Sequence, residues 1–400
     1  MTALTLIMPM KGRRLHTMRF FWHANRQRLP YRIVVADGQV EPEISERLAR
    51  PHALFPALDI DYVRCPDDVT YQHYFDKLAA AAKRVTTPYA MLCDNDDFVV
   101  EAGVESCIAF LKGTPEYAGV SGGIAGFALH PDPALPKVAG TIRSLGSLYN
   151  NGYLAADYDA PDLLARVRQN FTLGYSLYYS VFRADVLAAV LRDIAVLGLG
   201  DLKAVETFFG ARVKTLGKCR LDRRTVSYVR QAGTSGGAPD FWTVDDVRGT
   251  GHRAAEVQRC LTALACPIAG DSDARFVAGL LRELFISKQM AQFQETSRMA
   301  ATPRHVWRDG LREAAKSMVP KGARDFRRHV LRRKAHDEIG TAMLAHGAAP
   351  SDAIRVQQEI RTIEATLEGP DFPAFVHEHA RDLVDRDAGP AAVPARKVAG

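Results

Sequence analysis

Disulfide pairs, membrane spans and phosphate loops are all missing from this sequence. Its 400 residues include six cysteines, at 65, 93, 107, 219, 260 and 266, scattered with no close paired spacing. That pattern argues against a thiolate metal site and reads as reduced thiols in a cytosolic protein. No apolar run reaches the roughly 18 residues of a spanning helix. The first ten residues are apolar, but Lys11, Arg13 and Arg14 follow them instead of preceding them, the wrong order for a signal peptide. No G-x-x-x-x-G-K-[ST] occurs, so a P-loop does not hold phosphates here. Ser121 to Gly126 carries serine where a dinucleotide fingerprint needs its first glycine, and lies far from the first strand. A Rossmann dehydrogenase is therefore not expected.

What is present is the composition of a soluble globular protein, 47% apolar and 24% charged. A net charge of +6 and a pI near 9.0 suggest an anionic partner: a nucleotide, a phospholipid surface or nucleic acid. No recognised nucleic-acid module supports the last, and we expect no nucleic acid.

The most informative stretch is Thr87 to Phe98. Tyr89 to Cys93 is an apolar run of strand length introduced by Pro88, and it ends in Asp94-Asn95-Asp96-Asp97. A short apolar run so bounded reads as a buried strand of a parallel sheet. Its acids then lie at the carboxyl edge, where open α/β sheets bind ligands. Three crowded carboxylates are costly unless a cation takes up the charge, and oxygen ligands suit Mg²⁺ or Mn²⁺. By itself the tetrapeptide reads equally well as an acidic turn in which Asp94 or Asp97 caps the next helix.

Along the chain, strands are expected at Leu4–Met8, Tyr31–Ala36, Ile60–Val63 and Tyr89–Cys93, with helices at Leu15–Arg26 and Tyr71–Val85 between them. This β-α-β-α order predicts a doubly wound, mostly parallel sheet with right-handed crossovers. A helix over 101–112 leads to an apolar stretch, Tyr117–Leu129, that suits a fifth strand. Residues 130–160, rich in Pro, Gly and Asn, read as a long loop over the site, with Tyr149 and Tyr153 available to an acceptor sugar or to the core. Further strands are expected at Leu177–Phe182 and Val226–Arg230, and a helix at Arg183–Val190.

Thr5-Leu6-Ile7-Met8-Pro9, then Ile33 to Gly38, then Tyr89 to Asp97 together resemble the nucleotide-sugar-binding half of GT-A glycosyltransferases, specifically the family 2 type. The resemblance spans roughly residues 3–231 and implies the GT-A fold and an inverting transfer from a nucleotide sugar, a UDP-sugar first, to a hydroxyl of a surface glycan or lipid-linked acceptor. It implies that Asp37 contacts the base, that Pro9 closes the first strand beside the nucleotide, and that Asp94-Asn95-Asp96 hold the metal and diphosphate, with Asp96 the direct ligand and Asp94 beside it. Lys77 falls, with a one-residue slip, where the family carries a basic residue. Lys11 replaces a residue that is often aromatic, and faces base, phosphate or solvent.

The family's second landmark is an acidic pair on a helix, followed by a glycine and a strand. Counting back from Gly217 reaches Glu206, but its partner position is Val205, so the pair is broken. Glu206 is the expected catalytic base and Asp201 the alternative. Such a base takes the proton of the acceptor hydroxyl as it attacks, and a carboxylate-held divalent cation stabilises the departing diphosphate. Arg230 stands where the family often has His, and suits the diphosphate as a bidentate donor or is a surface arginine.

After the Gly-rich segment 233–237, the pattern turns wholly helical. We expect a GT-A-like domain at 1–240, an all-α C-terminal region at 241–387 and a disordered tail at 388–400. Within 303–334, eleven Lys or Arg stand against three Asp or Glu, with Trp307 and Phe326 interleaved. This basic amphipathic stretch suits peripheral contact with an anionic membrane, or is a solvated face of a bundle. A homo-oligomer through the helical half stays open. Two other readings of the chain remain: a sugar-nucleotide nucleotidyltransferase, of whose Gly-rich basic loop Met10 to Arg14 is a faint echo, and a non-catalytic GT-A-like binding module.

Overall fold

The computed structural model describes residues 2–38, 54–132, 134–135, 138–147, 157–173, 177–232, 251, 253–270, 273–301, 330 and 335–387. The N-terminal half contains β1 (Leu4–Met10), α1 (Arg14–Gln27), β2 (Arg32–Asp37), β3 (Asp59–Arg64), α2 (Tyr71–Ala82), β4 (Tyr89–Leu92), β5 (Phe98–Val99) and α3 (Glu101–Gly113); the four expected strands are present, β5 was not expected, and residues 39–53 between β2 and β3 lie outside the described residues. Then come β6 (Tyr117–Pro131), β7 (Gly140–Ser147), α4 (Leu163–Leu173), β8 (Val181–Arg183), α5 (Ala184–Leu197), α6 (Leu202–Leu216) and β9 (Lys218–Gln231). The chain ends in α7 (Ala254–Ala269), α8 (Ala274–Ala301), a helical segment at 335–345, α9 (Pro350–Glu368), α10 (Asp371–His379) and α11 (Arg381–Asp387).

Among the described residues the strands form one nine-stranded sheet, in the order β3-β2-β1-β4-β8-β6-β9-β5, with β7 on the side of β6. β3, β2, β1 and β4 are parallel, with Leu6 level with Ile33 and Met91. β8 runs antiparallel between β4 and β6, which restores the common direction for β6 and its parallel neighbour β9. The sheet is thus mostly parallel and covered on both faces, which is why β1 is buried along its whole length and reads as an unbroken apolar run.

Local signals position the helices. Thr70 caps α2 by accepting from His73 N at 3.2 Å, and Gly198, at φ 64°, closes α5 in the left-handed conformation. Gly103 lets α3 lie close on the sheet, because a Cβ there would come within 2.0 Å of the Val226 carbonyl.

The helices beyond residue 250 divide between the two faces. Leu261 and Leu264 of α7 and Leu281 of α8 enter the same core as α2, α5 and α6. Phe372 and Val376 of α10 and Leu383 of α11 pack instead with α1 and β1. Ile360 and Ile363 of α9, with Ile339 and Met343, cover Phe98 and Phe127.

Several sequence-based expectations need correction. Residues 130–160 are not one long loop: β7 folds back on β6 as an antiparallel pair, with Phe127 level with Leu145. Gly140 and Thr141 resemble loop chemistry, but a partner strand satisfies their backbone. The strand expected at Leu177–Phe182 is confined to Val181–Arg183, since Ser180 N bonds Leu177 O at 3.0 Å in a turn. The β9 strand is longer than its apolar part, because β6 pairs with its polar start as well. Residues 233–242, Tyr149, Tyr153, the tail 388–400 and all of 303–334 except Val330 lie outside the described residues. No helix among those described is long and apolar enough to cross a membrane.

Candidate active site

The sheet order reverses between β1 and β4, since β2 and β3 extend one way from β1 and everything after β4 extends the other. Ligand crevices of open α/β sheets form at such a switch point. The chain leaves β1 into Lys11–Arg14 and leaves β4 into Asp94–Asp97, so the basic turn and the acidic turn face each other across it.

Asp94, Asp96 and Asp97 each bring a carboxylate oxygen within 4.8 Å of the others. The turn closes through Asp97 N on Asp94 O at 3.3 Å. The tertiary structure holds each acid differently. Asp94 accepts from the Tyr179 hydroxyl at 2.5 Å, while its backbone N donates to the Tyr228 hydroxyl at 3.0 Å. Those two rings are stacked, 4.4 Å apart. Asp96 Oδ2 meets the Arg13 guanidinium at 2.5 Å. Its main-chain oxygen accepts from Arg19 at 2.6 Å, and Arg19 also donates to Val138 O at 2.9 Å. Asp97 Oδ1 accepts from Gln231 N at 2.8 Å, at the end of β9. Asn95 turns away from the acids, its side-chain amide on Thr17 at 2.9 Å. The helix-cap reading of the motif is therefore excluded for the next helix: Val100 is the N-cap of α3, and it makes no side-chain cap.

Asp97 Oδ2 is buried and has no hydrogen-bond partner. The nearest cation, Arg230 Nε, is 4.0 Å away, beyond hydrogen-bond range. Burial, followed by Asp96 and Asp94, pushes the Asp97 carboxyl well above the usual range. Burial also raises Asp94, against the Tyr179 hydrogen bond and with Asp96 adding to the rise. A buried carboxylate oxygen left without a donor, beside two more carboxylates, is the environment a hard cation completes. The donor set fits Mn²⁺ or Mg²⁺.

A second polar cluster lies at the ends of β1 and β2. Asp37 is fully buried and accepts from the Tyr62 hydroxyl. Lys77 Nζ, with only 1% of its side chain exposed, donates to Asp68 Oδ2 at 2.5 Å and to Met10 O at 3.1 Å. Burial lowers the Lys77 pKa, against the hydrogen bond that it donates to Asp68. Lys11 is exposed and donates to Asp68 O. Pro9 is buried within β1, level with Ala36.

Of the other expected site residues, Arg230 does reach the acidic cluster, and its guanidinium lies 5.2 Å over the Tyr179 ring. Asp201 caps α6, accepting from Ala204 N at 2.8 Å, and pairs with Arg253 at 3.1 Å. Glu206 is exposed on α6, and Val205 before it is buried in the core. Neither acid belongs to the group within 4.8 Å. Phe209, one turn beyond Glu206, packs 5.7 Å from Tyr178, whose neighbour Tyr179 holds Asp94.

Sequence reasoning missed Arg13, Arg19, Tyr179 and Tyr228. Arg19 looks like an ordinary helix cation, yet it is fully buried between Phe98 and Phe127, 4.9 and 5.9 Å from the rings. The only sequence signal for the tyrosines is that they carry hydroxyls in otherwise apolar strand patterns, where a buried O–H needs a partner.

No protein-family model and no curated protein matches the sequence. Among solved structures, the chain is similar to residues 1–349 of TarS from S. aureus, with 10% identity and a TM-score of 0.46, over 90% of this chain and 91% of that one. The same protein in complex with UDP-GlcNAc gives 11% and 0.44, over 90% and 92%. The mannosyltransferase PcManGT from Pyrobaculum calidifontis, in complex with GDP-Man and Mn²⁺, gives 13% and 0.38, over 89% and 86%. Likeness at this level carries no residue-by-residue correspondence.

Proposed function

We propose that this chain is a metal-dependent, inverting glycosyltransferase that moves a sugar from a nucleotide-sugar donor, a UDP-sugar first, to a hydroxyl of a surface glycan or lipid-linked acceptor. The observation that carries the reading is the orphaned Asp97 oxygen inside the Asp94–Asp96–Asp97 cluster, at the switch point of the sheet. A divalent cation there supplies Lewis acidity toward the departing diphosphate.

The chain's own groups divide the remaining work. Tyr179 and Tyr228 fix Asp94 from one side, and Arg19 fixes the Asp96 backbone from beneath. Arg230, already beside Asp97, is placed to meet diphosphate oxygens. Asp37 and Lys11 flank the nucleotide side of the crevice, where Lys77 holds the turn by its buried pair with Asp68. Glu206, or Asp201 in its place, takes the acceptor proton.

One observation favours the runner-up, a GT-A-like binding module without catalysis. Asp201 is engaged by Arg253 and Ala204, and the residue before Glu206 is a valine buried in the core, not a second acid.

The test is thermal stability of the purified chain against UDP, GDP, UDP-GlcNAc and GDP-Man, with Mn²⁺, Mg²⁺ or chelator. A ligand that binds only the folded state raises the melting point by mass action. We expect a metal-dependent rise with one nucleoside diphosphate, lost in Asp96→Asn. A rise with a nucleoside triphosphate plus sugar phosphate instead would move the assignment to a nucleotidyltransferase. Transfer that survives in both Glu206→Gln and Asp201→Asn would remove both as the base. Donor binding with no turnover on any acceptor would leave the binding module.

A further inference from the structure

The turn between β1 and α1 is built in an unusual conformation. Gly12 has φ 66°, and the residue after it, Arg13, has φ 53° and ψ 42°. Glycine takes the left-handed region freely, but a long side chain pays sterically to be there. A non-glycine residue held in that region is a reason to ask what the position accomplishes. What Arg13 accomplishes is visible in its contacts. Its main-chain oxygen accepts from Thr17 N at 3.1 Å and from the Asn95 amide at 3.4 Å, so the basic turn is clamped to the acidic one. Its guanidinium then lies on Asp96 Oδ2.

Two arginines therefore meet Asp96, and they differ. Arg19 is fully buried and grips the main-chain oxygen from beneath. Arg13 has 32% of its side chain exposed and covers a carboxylate that is itself 5% exposed. It is the more exposed of the two, and it covers one of the two carboxylate oxygens of the residue that the metal reading assigns as the direct ligand. It does not complete the cluster's charge compensation, because Asp97 Oδ2 is left with Arg230 at 4.0 Å and no hydrogen bond.

We propose that Arg13 is a built-in counter-ion: it holds Asp96 in the empty enzyme and exchanges with the metal, then moves its charge onto the donor's diphosphate. The inference rests on the metal reading given above and adds to it an order of events. On this proposal the metal takes the oxygen that Arg13 holds, so metal binding breaks the Arg13–Asp96 pair. When a diphosphate is present, the released guanidinium finds a bidentate partner at once. Metal and nucleotide then each favour the other, and by linkage the enhancement is the same in both directions. No donor-free metal site of high affinity forms, although the three acids are in place.

The experiment is Mn²⁺ titration of the full chain, with and without UDP or GDP, followed by the paramagnetic resonance of free Mn²⁺. Wild type is compared with Arg13→Gln, Arg13→Gly and Asp96→Asn. Arg13→Gly removes the cation and also relieves the left-handed backbone, so it keeps the test available should the glutamine variant fail to fold. We expect both Arg13 variants to bind Mn²⁺ alone about tenfold more tightly than wild type, with the gain from adding nucleotide reduced by a similar factor. Asp96→Asn binds poorly throughout. Equal Mn²⁺ affinity in wild type and the Arg13 variants, with Asp96→Asn still defective, overturns the exchange and leaves the metal site standing. An absence of Mn²⁺ binding in every protein, with either nucleotide, overturns the metal reading and this inference with it.

Discussion

Two buried carboxylate clusters sit on the same edge of one sheet, and they are resolved in opposite ways. At the ends of β1 and β2, Asp68 is met by a lysine of the same chain, and both side chains are almost completely sealed from solvent. At the end of β4, three acids share one partly exposed arginine, a distant second one and a few hydrogen-bond donors, and one oxygen has no hydrogen bond. The first arrangement is closed and needs nothing from outside. The second keeps an electrostatic demand that the fold does not meet. The two clusters differ in completion: the Lys77–Asp68 pair is sealed, whereas the acidic turn has Asp94 half-buried, Asp96 and Asp97 buried, and one carboxylate oxygen without a hydrogen bond.

The largest effect should come from breaking the closed cluster. Lys77→Met leaves Asp68 buried and uncompensated, which costs about 3–5 kcal/mol of stability in urea unfolding. If Lys77 instead serves mainly as a ligand group, stability holds and only nucleotide binding falls.

A third buried ionisable group provides the control. His23 bonds Thr366 at 2.7 Å, and burial, followed by Arg19 and Arg26, lowers its pKa to about 3. The unfolded chain therefore takes up a proton near the ordinary histidine value, while the folded one does not. His23's contribution is intact above about pH 6.5 and is lost as pH falls toward about 3. Its slope within that window approaches roughly 1.4 kcal/mol per pH unit. Urea unfolding at pH 7 and pH 5 should show this slope in the wild type and a shallower one, by about one proton, in His23→Gln. An unchanged slope would show that the acid sensitivity comes from other groups.

The smallest effect has the opposite sign. Asp97→Asn keeps an acceptor for Gln231 N and removes one of three crowded charges. Without metal, the variant should gain roughly 1 kcal/mol, by analogy with other buried charges replaced by neutral groups. It should also lose any stabilisation by Mn²⁺. A loss of stability in chelator would mean that the cluster is already balanced in the empty protein, and the contrast with Asp68 would collapse.

Legibility from sequence followed the same division. β1, β2 and β4 were readable because both of their faces are buried, so their apolar runs are continuous, while the edge strand β3 is largely half-buried. β7 was not, since its glycines and polar residues resemble a loop until β6 pairs with it. The acidic motif was readable as three carboxylates too close together to be left alone. The broken pair at Val205–Glu206 was also visible, and the core position of Val205 gives it a physical cause.

The sequence by itself determined most of the strand order in the first hundred residues and the edge of the sheet at which three carboxylates crowd together. Those follow from local periodicity and residue type, which neighbouring residues encode. Only the tertiary structure decided which acid is compensated and by what. Arg13 reaches Asp96 across 83 positions, Tyr179 reaches Asp94 across 85 and Gln231 reaches Asp97 across 134. Charge compensation depends on distance in space and on the exclusion of water, and neither is written in the spacing of residues along a chain.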